Sequence, residues 1–206
     1  FGAALEPLSH LSVILFGKET QELYRLSQCD ILTSFQTLRE NPESCFTGVY
    51  FLELVDTLTR EGESDPRLFE FLLSALNQME PLAGKVLLCR LFELRLLSLL
   101  GYKPRLNECY RCGQIPDSVW VGFRFGNQGI FCGSCQTQEP ADMRVRWGTV
   151  NYLKKMLTLD IRHWRRLKVP RGLEEEMETL IRRLILVRVG RELKTYPLLQ
   201  QMRFSG

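Results

Sequence analysis

Apolar positions recur along this chain at two different spacings. In Leu11-Ser12-Val13-Ile14-Leu15-Phe16 apolar and polar residues partly alternate until Gly17-Lys18 breaks the run, and Leu23-Tyr24-Arg25-Leu26 follows with mixed faces. Two such runs about a turn predict a β-hairpin. Two strands alone are marginal in water, so the hairpin is expected to belong to a larger sheet whose earlier strands precede Phe1. No other convincing strand follows before the cysteine-rich stretch.

From Asn41 the spacing becomes helical. Asn41-Pro42 combines a capping side chain with proline at the first helical position, and Cys45, Phe46, Val49, Leu52 and Val55 then recur at three- and four-residue steps until Gly62. Asp65-Pro66 repeats the signal and opens a helix with Phe69, Leu72, Leu73, Leu76 and Met79 on one side. Val86 to Leu100 is apolar almost all round, with Arg90, Glu93 and Arg95 as exceptions, which predicts a buried core helix. Gly101 is its predicted left-handed cap and Pro104 blocks continuation. Residues 102–140 turn to Gly, Cys, Asn, Gln and Pro, with Trp120, Phe123, Phe125 and Phe131 interspersed. Helices then resume: Val150 to Leu159 capped by Thr149, a basic connector from Arg162 to Arg171, and a long final helix from about Leu173 to Lys194. In that last helix glutamates come first and Arg188, Arg191 and Lys194 last, which complements the helix dipole. No internal repeat is visible.

Composition narrows the class. A chain of 206 residues, 45% hydrophobic and 25% charged, is an ordinary globular one, which excludes a disordered tail, a collagen-like fibre or a low-complexity linker. Neither an uncharged apolar run long enough to span a membrane nor a secretion signal is expected. The net charge of +3 hides a split. Residues 1–100 carry 8 basic and 14 acidic side chains, a net −6, whereas residues 101–206 carry 19 and 10, a net +9. Such asymmetry points to an acidic partner for the second half.

Seven cysteines, an odd number, argue against a closed disulfide framework. Four of them form two pairs, Cys109-x2-Cys112 and Cys132-x2-Cys135, with nineteen residues between. A two-residue gap lets a tight turn aim both thiolates at one ion, and two such knuckles complete a tetrahedron of sulfurs at roughly 2.3 Å. Gly113 and Gly133 stand where a knuckle is expected to need positive φ. Four cysteines close the coordination sphere, so zinc here is expected to be structural rather than catalytic. The segment between the pairs looks too short and polar to bury a core of its own, so the metal is expected to supply much of its folding free energy. The alternatives are unrelated buried thiols, two disulfides, or a redox pair, although the latter usually starts a helix after a strand. Cys29, Cys45 and Cys89 read as small buried hydrophobes.

Between Ala141 and Arg171 stand nine basic residues, Arg144, Arg146, Lys154, Lys155, Arg162, Arg165, Arg166, Lys168 and Arg171, opposed by Asp142 and Asp160 alone. Trp147, Tyr152 and Trp164 are interleaved with them. Clustered cations release counterions from phosphates and aromatic faces stack on unpaired bases, so the pattern fits nucleic acid. The alternative is a solvated basic face balanced by the acidic first half. No base-reading motif is present, and contacts are therefore expected to follow the backbone. Arg182, Arg183, Arg188 and Arg191 are candidates for holding an acidic peptide. No phosphate-binding loop, dinucleotide fingerprint or His-Glu-x-x-His is found, and His10 and His163 lack catalytic context. No enzymatic activity is expected.

Several segments together resemble the RecO family of DNA repair proteins. Gly2-x2-Leu5-Glu6-Pro7-Leu8 and Leu23-Tyr24-Arg25-Leu26-Ser27-Gln28 resemble the close of that family's N-terminal barrel. Gly101 to Gly113 resembles the start of its zinc module, Gly129-Ile130-Phe131-Cys132-Gly133-Ser134-Cys135 the end of it, and Gly190-Arg191-Glu192-Leu193-Lys194-Thr195 the family's closing Gly-x-x-Leu-Lys-Ser. Thr195 departs from that pattern, and Pro197 suggests that the last helix ends early. Some members lack the cysteines, which agrees with a structural metal.

The resemblance implies a mainly α fold: a helical domain with a four-cysteine zinc insert, preceded by the last hairpin of an OB-fold barrel. The boundaries are 1–30 for the OB-fold part and 31–206 for the helical domain, with the zinc module at about 102–140. It implies a cytoplasmic, nucleoid-associated bacterial mediator of DNA repair and recombination. Such a protein binds single- and double-stranded DNA, anneals complementary strands, partners RecR and the acidic tail of single-strand-binding protein, and leads to RecA loading. Arg144, Arg146, Lys154, Lys155, Arg162, Arg165, Arg166 and Lys168 are the candidate DNA contacts, and Arg182, Arg183, Arg188 and Arg191 the candidate tail contacts. The competing class is a zinc-ribbon interaction module in transcription or assembly that anneals nothing. An enzyme with a structural zinc would need a polar catalytic cluster ahead of Phe1.

Overall fold

A computed structural model of the chain describes residues 6–17, 23–79, 85–170 and 172–204. Gly2, Leu5, Lys18 and Arg171, which entered the reading above, lie outside the described residues. The chain divides into two compact units, residues 1–53 with 194–206 and residues 54–193.

The first unit begins with the expected hairpin. Strands β1 (His10–Phe16) and β2 (Arg25–Thr33) pair antiparallel from Phe16 opposite Arg25 to His10 opposite Thr33, with irregularities at His10/Leu11 and Ile14/Leu15. Val13, Ile14, Leu15 and Phe16 are consecutive and all exposed, so apolar side chains stand in water on both faces of this ribbon. Helix α1 (Gln36–Glu40) is short. Helix α2 (Pro42–Leu58) starts as its sequence predicts: the Asn41 side-chain oxygen accepts from both the backbone N–H and the hydroxyl of Ser44, each at 2.9 Å. The unit's core gathers Leu8, Phe35, Leu38, Tyr50 and Phe51 with Tyr196 and Leu199 from the far end of the chain. Those last two belong to α8 (Tyr196–Phe204). The carboxylate of Glu53 accepts from the backbone N–H groups of Lys194 and Thr195 and from the Thr195 hydroxyl, at 2.5–2.9 Å, and so satisfies donors that open α8. Pro197 therefore does not shorten a helix; it sits in the first turn of a new one, where its missing N–H costs nothing.

In the second unit, α3 (Pro66–Asn77) is capped by Asp65, whose side chain accepts from Arg67 and Leu68. Its inner face is offset from the predicted one: Leu68, Ala75 and Leu76 are buried, while Phe69 is 53% exposed. Helix α4 (Lys85–Leu99) is the predicted core helix and packs against α3, α6 (Trp147–Thr158), α7 (Glu174–Val189) and a 3₁₀ helix, Ile161–Arg166. Two of its polar residues, Arg90 and Glu93, are buried too. The Arg90 guanidinium lies 2.8 Å from a Glu93 carboxylate oxygen and 3.6 Å from Glu178 of α7, with both α4 side chains at most 3% exposed. The sheet runs in the order β4 (Gly129–Phe131), β3 (Trp120–Arg124), β5 (Met143–Arg146), all antiparallel.

Two predicted helix ends move. The long helix predicted to reach Lys194 is α7, which stops at Val189 because Gly190 (φ 70°) takes the left-handed conformation and its N–H donates to the Leu186 carbonyl. Helix α6 begins at Trp147, and Thr149, predicted as its cap, is buried within its first turn. The cap comes from elsewhere: Glu176 of α7 accepts from the Arg146 backbone N–H at 2.8 Å and from the Thr149 hydroxyl at 2.5 Å. Glu176→Ala is expected to cost about 1–2 kcal/mol, the usual value of a lost cap, read as a lower denaturation midpoint at unchanged slope; a neutral variant would refute the cap.

Candidate metal centre and nucleic-acid interface

The first knuckle, residues 109–113, hangs on β4 through the backbone. Arg105 donates to the Gln128 carbonyl at 2.7 Å, Ile130 donates to the Arg105 carbonyl at 3.1 Å, and Tyr110 donates to the Ile130 carbonyl at 2.8 Å. The turn closes with Gly113 donating to the Cys109 carbonyl at 2.9 Å, and Gly113 has the positive φ of 71° that a side chain would oppose, whereas Gly133, in the first turn of a helix, does not have positive φ. Strand β4 then runs straight into Cys132, and the one-turn helix α5 (Gly133–Gln136) places Cys135. The two cysteine pairs, remote in sequence, thus meet at the end of one strand.

The four Sγ atoms of Cys109, Cys112, Cys132 and Cys135 all lie within 4.8 Å of one another. Cys112 and Cys132 are 3.7 Å apart. A disulfide would need about 2.05 Å, whereas a tetrahedron of sulfurs at about 2.3 Å from one ion has edges of about 3.8 Å. The geometry is that of a ligand set, and these four cysteines could hold a metal ion. Among the described residues no other His, Cys, Asp and Glu group of three or more is close enough to do so. Burial pushes the Cys109 thiol up, but backbone N–H groups of Cys112, Cys132 and Arg111 outweigh it and bring it down to about 6. Burial and then the neighbouring thiols push Cys135 up to about 12. One thiolate is ready at neutral pH, and its charge opposes a second until a cation neutralises it.

The segment between the pairs has more core than its composition suggests. Val121, Phe123, Phe125, Ile130, Phe131 and Val145 are each at most 4% exposed. That core is not the stretch's own: β5 arrives from beyond Cys135 and places Val145 opposite Val121.

The structure gives the basic candidates different surroundings. Arg144 and Arg146 of β5 lie 5.6 and 5.2 Å from the Trp120 ring of β3, a contact that linear reading missed. Lys154 sits 4.5 Å from the Trp147 ring, beside a cavity of about 480 Å³ that Lys103, Arg105, Tyr110 and Leu157 also line, and burial holds its ammonium below the ordinary value. Lys155 lies 5.0 Å from the Tyr152 ring and Arg165 4.6 Å from Trp164. Arg162 is engaged by Asp160 at 2.5–3.1 Å, and its guanidinium holds that carboxyl well below the usual range. Arg166 and Lys168 are exposed.

Residues 39–197 match the family described as "Recombination protein O C terminal". The chain belongs to the RecO family. DNA repair protein RecO of Symbiobacterium thermophilum is 32% identical over 206 residues, covering 98% of this chain and 81% of the relative. The RecO proteins of Alkaliphilus metalliredigens and Pelotomaculum thermopropionicum are 31% and 32% identical, covering 92% and 96% of this chain and 76% of each relative. In this RecO chain no helix among the described residues is long and apolar enough to cross a membrane. The four arginines considered for an acidic tail have distinct neighbours. Arg182 pairs with Glu192 at 3.0 Å, Arg183 covers the Phe125 ring at 4.6 Å, Arg188 lies 4.4 Å from the Tyr102 ring, and Arg191 is exposed.

Proposed function

We propose that this chain is a recombination mediator in DNA repair that binds single- and double-stranded DNA, anneals complementary strands and helps load RecA onto strands coated with single-strand-binding protein. It acts without covalent chemistry. RecR and the acidic C-terminal tail of single-strand-binding protein are its protein partners, with Arg182, Arg183, Arg188 and Arg191 as the tail contacts. The four-cysteine centre holds zinc in a closed, structural role. Residues 1–30 close an OB-fold, a reading supported by the exposed apolar side chains on both faces of the β1–β2 ribbon.

The observation that carries this reading, beside family membership, is cationic surface without neutralising partners. Arg144, Lys155, Arg166 and Lys168 have no carboxylate partner among the described residues. Such cations gain affinity by displacing condensed counterions, so binding is expected to weaken by orders of magnitude between about 50 and 200 mM salt. Fluorescence-followed annealing of complementary strands coated with single-strand-binding protein tests the function. Acceleration supports it, and a rate equal to the protein-free control favours an interaction module instead. Reversing the charge of Arg165 and Arg166, with DNA and tail-peptide affinities both measured, separates the two ligands; no change in either would displace the basic surface from its proposed role.

A further inference from the structure

The outer face of the β3–β5 ribbon carries an arrangement that phosphate neutralisation does not explain. Trp120, Gly122 and Arg124 alternate along β3 with the buried Val121 and Phe123. Opposite them, Arg146 pairs with Trp120 and Arg144 with Gly122, so the indole and both guanidinium groups share one face. Over Gly122 that face is covered: a Cβ there would meet Ala141 and Gln136 at 2.6–2.9 Å. Farther along, Arg124 is tied to Glu139. At Trp120 the cover ends. Strand β4 has its last partner at Gly122, opposite Phe131, and no β4 residue pairs with Trp120. The indole is 41% exposed, and Val119 before it 72%.

A large aromatic at the end of a strand usually packs under neighbouring side chains. Here two cations lie over its ring, at 5.2 and 5.6 Å. Arg146 also donates to the Gly172 carbonyl at 2.7 Å, which fixes its side chain, whereas Arg144 has no ion pair among the described residues. An aromatic face flanked by guanidinium groups suits a ligand that offers a flat ring and an anion at short spacing, which is what an unpaired nucleotide offers. Duplex DNA offers the anion alone, its rings being stacked on one another.

We infer that Trp120 is a base-stacking residue for single-stranded nucleic acid, with Arg144 and Arg146 holding the adjoining phosphates. This rests on the DNA-binding reading above and adds to it a discrimination between single strands and duplex. An acidic peptide, which shares the anion but lacks the ring, is the rival occupant.

The test uses the full chain and three fluorescein-labelled probes of equal length: oligothymidine, an abasic oligomer and a duplex. Trp120→Ala is expected to weaken oligothymidine binding about ten-fold, in line with the loss of one stacked base, and to leave the abasic oligomer and the duplex within about two-fold. Trp120→Phe keeps a ring and is expected to restore most of the loss, while Arg144→Glu weakens all three probes. Unchanged oligothymidine binding, or equal losses on all three probes in Trp120→Ala, overturns the inference while the salt-dependent DNA binding of the native chain stands. A native chain that binds none of the probes overturns the DNA reading itself. Loss of acidic-peptide binding with oligothymidine affinity intact assigns the surface to the peptide and overturns stacking.

Discussion

On the metal-centre reading proposed above, replacing Cys132 with Ser is expected to take the protein from about one bound metal ion per chain to none and to melt both knuckles while the adjoining sheet stays folded. The asymmetry follows from two sources of stability in one segment. Structural zinc sites contribute about 10–16 kcal/mol of apparent binding free energy at neutral pH, and on the zinc reading proposed above that energy would organise residues 109–113 and 132–136, which carry the four cysteines. The sheet beside them has its own support in six apolar side chains at most 4% exposed, each contributing about 1.5–3 kcal/mol when fully buried. Cys109 and Cys132 are buried, so their thiols should react with a chromogenic disulfide only after the metal is gone. Elemental analysis, thiol counting and limited proteolysis together read the result. A Cys132→Ser protein that keeps stoichiometric metal, or one whose whole sheet is lost, would refute this division of labour. The pH dependence has a definite sign. Cys109 is brought down to about 6 in the metal-free cluster, so its thiolate is present above that value and lost below it. Zinc uptake by chelator-stripped protein should therefore weaken as the pH falls through about 6.

The second large effect is expected at Glu93. Its carboxylate and the Arg90 guanidinium are 2.8 Å apart inside the helical core, both almost completely shielded from water. Removing one partner of a buried pair leaves an uncompensated charge, at a cost of about 3–5 kcal/mol. Glu93→Ala should thus lower the midpoint of thermal unfolding by on the order of 10 °C for a protein of this size. Arg90 also faces Glu178 on α7 at 3.6 Å, which softens the loss without cancelling it. The double replacement Arg90→Met with Glu93→Leu is expected to recover most of the stability, because a well-packed apolar pair needs no compensation. If the single variant were as stable as the native chain, the pair would not be desolvated as the structure shows.

What the sequence disclosed and what it withheld divide along the range of the interactions. Asn41-Pro42 and Asp65-Pro66 announced their helices because a cap acts within three residues of itself. The cysteine spacing announced a ligand set because each knuckle is a local turn. Three features were illegible for the opposite reason. Glu176 caps a helix that starts about thirty residues earlier, Glu53 serves donors beyond position 193, and Trp120 meets Arg144 and Arg146 only through strand register. Arg90 and Glu93 looked like interruptions of an apolar stripe, since nothing in their spacing tells a buried pair from two solvated charges. Trp120 did leave one signal: the alternation of Trp120, Gly122 and Arg124 with Val121, Phe123 and Phe125 is the period-two pattern of a strand with one wet face.

The bond from Glu53 to Lys194 also sets an order of events. It joins residues 141 apart, and the unit it completes is made from the beginning and the far end of the chain. During synthesis, residues 6–53 have no α8 to pack against until everything through position 193 has emerged. Residues 54–193 form the other compact unit, and its folding shortens the effective loop between positions 53 and 194. The entropic cost of the late closure then falls. Docking of α8 against residues 35–53 is accordingly expected to follow the folding of residues 54–193.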